Sequence, residues 1–447
     1  MPFNLKDILV LTPELEEWLL KHRDKHPADI AESLQELNEL DRARVFSRLD
    51  GETAALVLCS LKTDAVKSLL DVLGPERIAA ILDEMPLDDA ADFLGGVSDE
   101  VKDELLDLME ADEAKDVKEL LAYPEDTAGG IMTTEYVAIL EHISAGKAID
   151  ILREIAPEAE TVYYVYVINV KNKLVGVISL RELIVADPDA PIRTIMQTNV
   201  ISVHAMTDQE EVARMVTKYG LLAIPVVDDD GSLLGIVTVD DIIDVIHEEA
   251  TEDIYLLAGA GEIDEGLSLV GRLRASVASR LPWLLVTLFG GIIAGTVLKG
   301  IENELSQMVA LAFFIPLLTG MGGNVGTQSS TLTVRGLATG EIEGHEVWIT
   351  LLKESLSGLI IGAICGGIVG SLAVILFKNW VLGVVVGAAL VANMITAATM
   401  GTLVPLIFRR VGIDPAVASA PFISTSIDIT GLLIYSTLAS ALIAYLV

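Results

Sequence analysis

Residues 421–447 read PFISTSIDITGLLIYSTLASALIAYLV, and the only charged side chain among them is Asp428. About 20 mostly apolar residues suffice for a helix to cross a bilayer core, so the run reads as a membrane span. Pro421 suits the first helical turn, where its missing N–H costs nothing. Ser424 or Thr425, then Asp428, then Gly431 follow at steps of three or four, forming one small, polar stripe on a greasy helix. The plain reading of Asp428 is a structural aspartate, protonated or bonded to a neighbouring helix. The sharper reading is an ion path, because ionisable groups kept inside a membrane mark one by default.

Four more apolar segments precede it, near 282–300, 307–332, 350–377 and 381–408. With the N-terminal half inside, the inner flanks hold Arg272, Arg274, Arg280, Arg335, Lys353, Arg409 and Arg410, and the outer flanks only Lys299 and Lys378. That bias predicts a multi-pass protein of the cell (inner) membrane, N-terminus cytoplasmic and C-terminus outside. It also puts Asp428 in the inner half of the membrane. Gly358, Gly362, Gly366 and Gly370 lie four apart, which lines one helix face with glycine for close approach of a neighbour. The second segment contains TGMGGNVGTQSS, poor material for lipid contact. Such a stretch survives at membrane depth if it is buried or lines a wet cavity, and Asn324 is the group expected at that cavity.

The 447 residues carry a formal charge of −35. Six basic and eight acidic residues follow Leu281, so −33 of that charge falls on the first 281 residues. A surface this acidic repels nucleic acid and anionic lipid and attracts cations. Cys59 and Cys365 stand far apart in sequence and imply no disulfide framework. The opening MPFNLKDILV lacks the basic segment and long apolar core of a signal peptide. No histidine and cysteine spacing suits zinc, and no nucleophile–base pair suggests an enzyme.

Residues 1–128 read as short amphipathic helices such as TDAVKSLLDVL, PERIAAILDEM and LDDAADFLGGV, with Pro, Gly, Asp or Ser at their ends. Stacked in succession they predict an all-α superhelical domain. Residues 129–255 hold an internal duplication. Each copy runs Ile-Met, a strand, a helix, two strands joined by a turn (VKNKL, then DDDGSL) and a helix, with Gly176 and Gly235 at matching places. This α/β region resembles a tandem CBS-domain pair, a dimerising regulatory module. A usual nucleotide signature of such pairs ends in Ser/Thr-x-x-Asp. Thr238 to Asp241 matches it, and Ser179 to Glu182 matches less well, so ATP at one site per chain is admitted.

A connecting helix (256–280) and a five-helix transmembrane domain (281–447) complete the expected multidomain order. Asp240, Asp241, Asp244, Glu248, Glu249, Glu252 and Asp253 crowd the approach to the membrane, and Asp88, Asp89 and Asp92 form a second acidic knot. A charge run is usually a solvated face. Two such surfaces could close on each other only around cations, and oxygen-only donors suit Mg²⁺ or Ca²⁺.

With YPEDTAGGIMT before the CBS pair, GGNVGTQS in the second span and PFISTSID in the fifth, the chain resembles the MgtE family of magnesium channels or transporters over its whole length. The resemblance implies a homodimer in membrane lipid whose pore forms where the two membrane domains meet, with Asp428 binding Mg²⁺ there. It also implies regulatory Mg²⁺ held by Asp88, Asp89, Asp92, Asp241, Asp244, Glu249, Glu252 and Asp253, favouring a closed state. A coupled carrier for divalent cations such as Mg²⁺ or Co²⁺, and a membrane-anchored nucleotide sensor, stay open as alternatives.

Overall fold

The computed structural model describes residues 11–61, 63–155, 161–261, 269–342, 344–418 and 420–446. Residues 1–10, which include the opening segment read above, and 262–268 of the expected connecting helix lie outside the described residues. The chain divides into two compact units, Met1–His247 and Glu248–Val447.

The first unit opens with α1 (Pro13–His22), α2 (Pro27–Gln35), α3 (Glu39–Phe46), α4 (Gly51–Cys59), α5 (Thr63–Leu73), α6 (Pro75–Leu82), α7 (Leu87–Gly95), α8 (Asp99–Leu108) and α9 (Ala111–Leu120). Local chemistry sets their starts. Proline occupies the first turn of α1, α2 and α6, and the side chains of Asn38 and Asp50 accept the Asp41 and Thr53 N–H groups at 3.0 and 2.9 Å. Helices two positions apart pack on each other, α2 on α4, α3 on α5, α4 on α6, α6 on α8 and α7 on α9, which generates a superhelical array. Leu34, Phe46, Leu69, Ile78, Leu94 and Leu105 are fully buried along its axis.

The duplicated region forms two sheets of the same design. In the first, β1 (Ala138–Leu140) is parallel to β2 (Tyr164–Ile168), which is antiparallel to β3 (Leu174–Ser179). In the second, β4 (Val203–His204) is parallel to β5 (Ala223–Val227), which is antiparallel to β6 (Leu233–Thr238). Helices α10 (Ala145–Ile155), α11 (Leu180–Val185), α12 (Ile192–Ile195) and α13 (Gln209–Tyr219) complete the copies. Gly176 and Gly235 lie opposite Val167 and Val226 in equivalent register. Each glycine receives an Ile-Met methionine across the repeat: Met196 packs on Gly176, and Met132 on Gly235. The array and the second copy share one apolar core, in which Leu87 and Leu94 join Ile224, Val237 and Ile242. Helix α14 (Val239–Leu257) follows directly from β6.

Among the described residues, the second unit holds five helices long and apolar enough to cross a membrane. They are α15 (Leu269–Gly300), α17 (Ile315–Ala338), α18 (Glu346–Phe377), α19 (Trp380–Arg410) and α20 (Ala420–Leu446), with a short α16 (Glu302–Gln307) between the first two. Helix α15 begins thirteen residues before Pro282 and carries that proline inside it, so the first membrane helix is longer than its apolar core. The glycine-rich TGMGGNVGTQSS is unbroken helix. Close packing explains its regularity. Gly322, Gly323, Gly326, Ser329 and Ser330 are buried against neighbouring helices, and short side chains let those backbones approach.

The same device joins α18 to α19. A Cβ on Gly366 would lie 2.6 Å from the Gly387 carbonyl oxygen, and one on Gly370 2.7 Å from that of Gly383, whereas one on Gly367 would meet nothing within 4 Å. Gly366→Val should therefore destabilise the membrane unit by about 1–3 kcal/mol, while Gly367→Val should change it by no more than about 0.5 kcal/mol. Thermal denaturation of the purified variants in detergent checks this. Equal loss at both positions would contradict the packing.

Candidate functional site

Asp428 and Asn324 face one cavity of about 680 Å³ in the membrane unit. Its lining includes Thr319, Gly323 and Thr327 from α17 and Pro421 and Ser424 from α20. These residues recur at helical spacing, so each helix presents a single polar stripe to the same space. Behind the wall the helices lock together, with Ile427 of α20 seated against Gly326 of α17. Asp428 is half-buried, and among the described residues no basic group or hydrogen-bond donor holds it. Glu354, in α18, is different: it accepts a hydrogen bond from Ser329 Oγ at 2.9 Å. Ala258 also lines the cavity, and a Cβ on the neighbouring Gly259 would lie 2.9 Å from Pro421. The segment after α14 thus rests on the first turn of α20.

The acidic knots divide between the two units. In the first unit, Asp88 is buried, and its Oδ1 accepts the Asp89 N–H at 3.0 Å. Burial raises the Asp89 carboxyl above its usual range, opposed by a hydrogen bond from the Cys59 thiol at 3.3 Å and reinforced by Asp240 and Asp244. Asp241 is pushed up to about 6, chiefly by burial, with Asp240 and Asp89 adding repulsion. Its Oδ2 also accepts a hydrogen bond from Thr238 Oγ1, so the two ends of the Thr238–Asp241 signature bond each other. Asp92 is exposed on α7. The structure therefore brings Asp89, Asp241 and Asp244 to one place. Among the described residues, no three His, Cys, Asp or Glu side chains are set to hold one ion. The donors are carboxylate oxygens, the ligand type that suits a hard, largely hydrated cation.

In the second unit, Glu249 and Glu252 crowd Asp253. Burial, then Asp414, Glu249 and Glu252 push Asp253 up to about 6. Asp414 lies in the loop between α19 and α20, where its Oδ1 accepts the Ala416 N–H at 2.8 Å.

The family model for MgtE divalent cation transporters matches residues 315–438, that for the MgtE intracellular N domain 25–126, and that for CBS domains 128–189 and 192–248. The magnesium transporter MgtE of Bacillus subtilis is 40% identical over 419 residues, covering 93% of this chain and 92% of the relative. The chain belongs to the MgtE family. MgtE of Thermus thermophilus is also 40% identical, over 435 residues, covering 93% of this chain and 95% of the relative. A solved structure described as the soluble part of a magnesium transporter is 40% identical, covers 55% of this chain and 95% of its own, and has a TM-score of 0.49. MgtE membership, with five apolar helices among the described residues, makes the chain a multi-pass membrane protein, and the two MgtE relatives that cover 93% of it are named as magnesium transporters, a non-enzyme family.

Sequence reasoning missed Asp414 and Cys59 as neighbours of the acidic knots. Neither carries a local signal: Asp414 begins a common Asp-Pro turn, and Cys59 ends an ordinary helix. Their placement is tertiary. The Asp253 cluster predicts a pH dependence. Above about pH 6 its carboxylate is charged in both the folded and the unfolded chain, and the fold bears the repulsion. As pH falls through about 6 the folded chain takes up a proton that the unfolded chain, with a pKa near 3.8, does not. Stability should therefore rise on acidification. In detergent without divalent cations, Asp253→Asn should raise Tm at about pH 7.5 and flatten part of the rise towards about pH 5. A parental pH profile in the variant would contradict the cluster.

Proposed function

We propose that the chain is a Mg²⁺-selective channel that mediates magnesium uptake and is closed by cytoplasmic Mg²⁺. The observation that carries this reading is the unpaired Asp428 sharing a cavity with Asn324 on helices of membrane-spanning length. Mg²⁺ sheds water reluctantly and keeps several waters when few carboxylates hold it. A homodimer would bring two Asp428 carboxylates to a mostly hydrated ion, binding it firmly enough to admit and loosely enough to release. With the acidic half inside, the membrane potential drives entry at roughly 2.3 kcal/mol per charge per 100 mV, doubled for a divalent ion. The relatives named magnesium transporters support the choice of ion.

The regulatory part of the proposal rests on like charge. Asp88, Asp89 and Asp92 with Asp241 and Asp244 would repel one another until Mg²⁺ stands between them. Glu249, Glu252 and Asp253 on α14 would then draw the Ala258–Gly259 segment against Pro421 of the cavity wall. Each ion biases the closed form only by its differential affinity. A swing from 1:99 to 99:1 takes about 5.5 kcal/mol, which several weak sites supply jointly, so closure is cooperative in Mg²⁺. ATP at Thr238 and Asp241 would compete with the metal for one carboxylate. The scheme keeps domains at 1–128, 129–255 and 281–447, with the stretch 256–280 between them holding the end of α14, the Ala258–Gly259 segment and the start of α15.

Two measurements test it. Asp428→Asn keeps the side-chain shape and removes the charge, so it should abolish or strongly reduce Mg²⁺ flux into proteoliposomes while the protein still purifies as an assembled oligomer. Normal flux in the variant would sink the pore assignment. Neutralising Asp89, Asp92 and Asp241 together should leave the channel conducting at Mg²⁺ levels that shut the parent and should remove the protease protection Mg²⁺ confers. An unchanged closing point would reduce these carboxylates to a solvated face.

A further inference from the structure

Asn393 lies in the middle of α19 and is fully buried. Its Nδ2 donates to the Leu318 carbonyl oxygen of α17 at 2.8 Å. Its Oδ1 is buried and has no hydrogen-bond partner among the described residues. The carboxamide is wedged between two glycines. A Cβ on Gly322 of α17 would lie 2.4 Å from Nδ2, and one on Gly431 of α20 would lie 2.6 Å from Oδ1. Leu318 and Gly322 directly precede Thr319 and Gly323, which line the cavity, and Gly431 is one helical turn beyond Asp428. One amide therefore stands behind the wall as the spacer between the two helices that carry Asn324 and Asp428.

The hydrogen bond to Leu318 ties α19 to α17, but the unpaired Oδ1 works against stability. Leaving a buried acceptor unpaired is costly, and an apolar residue of similar size would pack without that cost. Polar groups retained inside a membrane bundle are tied to function. We infer that Asn393 is a positioning residue that sets the separation of α17 and α20 and thereby the preference of the path for Mg²⁺ over larger divalent cations. The inference rests on the pore reading above. Its physical basis is the different demands of the ions. Mg²⁺ holds a tight octahedral water shell, while Ca²⁺ accepts looser and more variable coordination. A wall that widens or shifts loses the fit to the first before it loses the second.

The test is the ratio of Mg²⁺ to Ca²⁺ flux into proteoliposomes, which does not depend on how much protein folds. Asn393→Leu fills the volume without the donor and should lower the ratio by about threefold or more, the effect expected of groups in direct contact. Gly431→Ala pushes a methyl into Oδ1 and should lower it too. In the Asn393→Ala background the same alanine finds room, so the double variant should lie closer to the parent than the product of the single effects. Asp428→Asn, run alongside, separates the two claims. Parental ratios in Asn393→Leu and Gly431→Ala, with flux lost in Asp428→Asn, overturn the positioning role and leave the pore reading standing. Flux that persists in Asp428→Asn removes the pore reading and this inference with it. A shifted ratio in Gly431→Ala that Asn393→Ala does not relieve also overturns the inference.

Discussion

A carboxylate inside a membrane must keep water or find a counter-charge, because transfer to hydrocarbon without either is prohibitive. Asp428 has no basic partner among the described residues, so it depends on a cavity, and much of the membrane unit is arranged around that need. Helix α17 turns a stripe of hydroxyl and amide side chains to the same space, and α20 adds the Ser424 hydroxyl beside Asp428. Their other faces carry glycine and small residues that hold the helices close. The polar wall is thin because the packing behind it is tight. Glu354 shows the alternative solution: a membrane-helix carboxylate bonded by a serine hydroxyl, without a place on that cavity.

The other unit works with the opposite charge problem. Carboxylates on α7 and at the start of α14 are drawn together by an apolar core shared between the array and the second CBS copy. Burial and mutual repulsion raise Asp89 and Asp241. Apolar burial thus sustains an arrangement that electrostatics opposes, which is the condition for a protein whose compactness responds to cations. In the proposed mechanism that response reaches the pore through α14 and the Ala258–Gly259 segment.

Much of this was legible in the sequence. Apolar runs mark the spans because length against bilayer thickness is a coarse requirement. The four-residue glycine spacing predicts a close helix pair, and the structure places that face on α19. The duplication is visible because each copy repeats the same turns and glycines. Three things were not legible, each for a physical reason. The start of α15 lies in a basic stretch, so the apolar run understates the helix. Asp414 meets Asp253 only through the fold. Asn393 is one neutral residue in an apolar run, and periodicity along a helix does not say which backbones its two ends will touch.

The central claim is a passive path for a hydrated divalent ion past Asp428. Its most direct test is Mg²⁺ entry into liposomes holding only the purified protein, followed with a trapped indicator while the membrane potential is stepped and no proton or Na⁺ gradient is present. The account predicts that a potential negative inside the vesicle speeds entry, and that reversing its sign slows it. Entry that requires a proton or Na⁺ gradient and ignores the potential would contradict it.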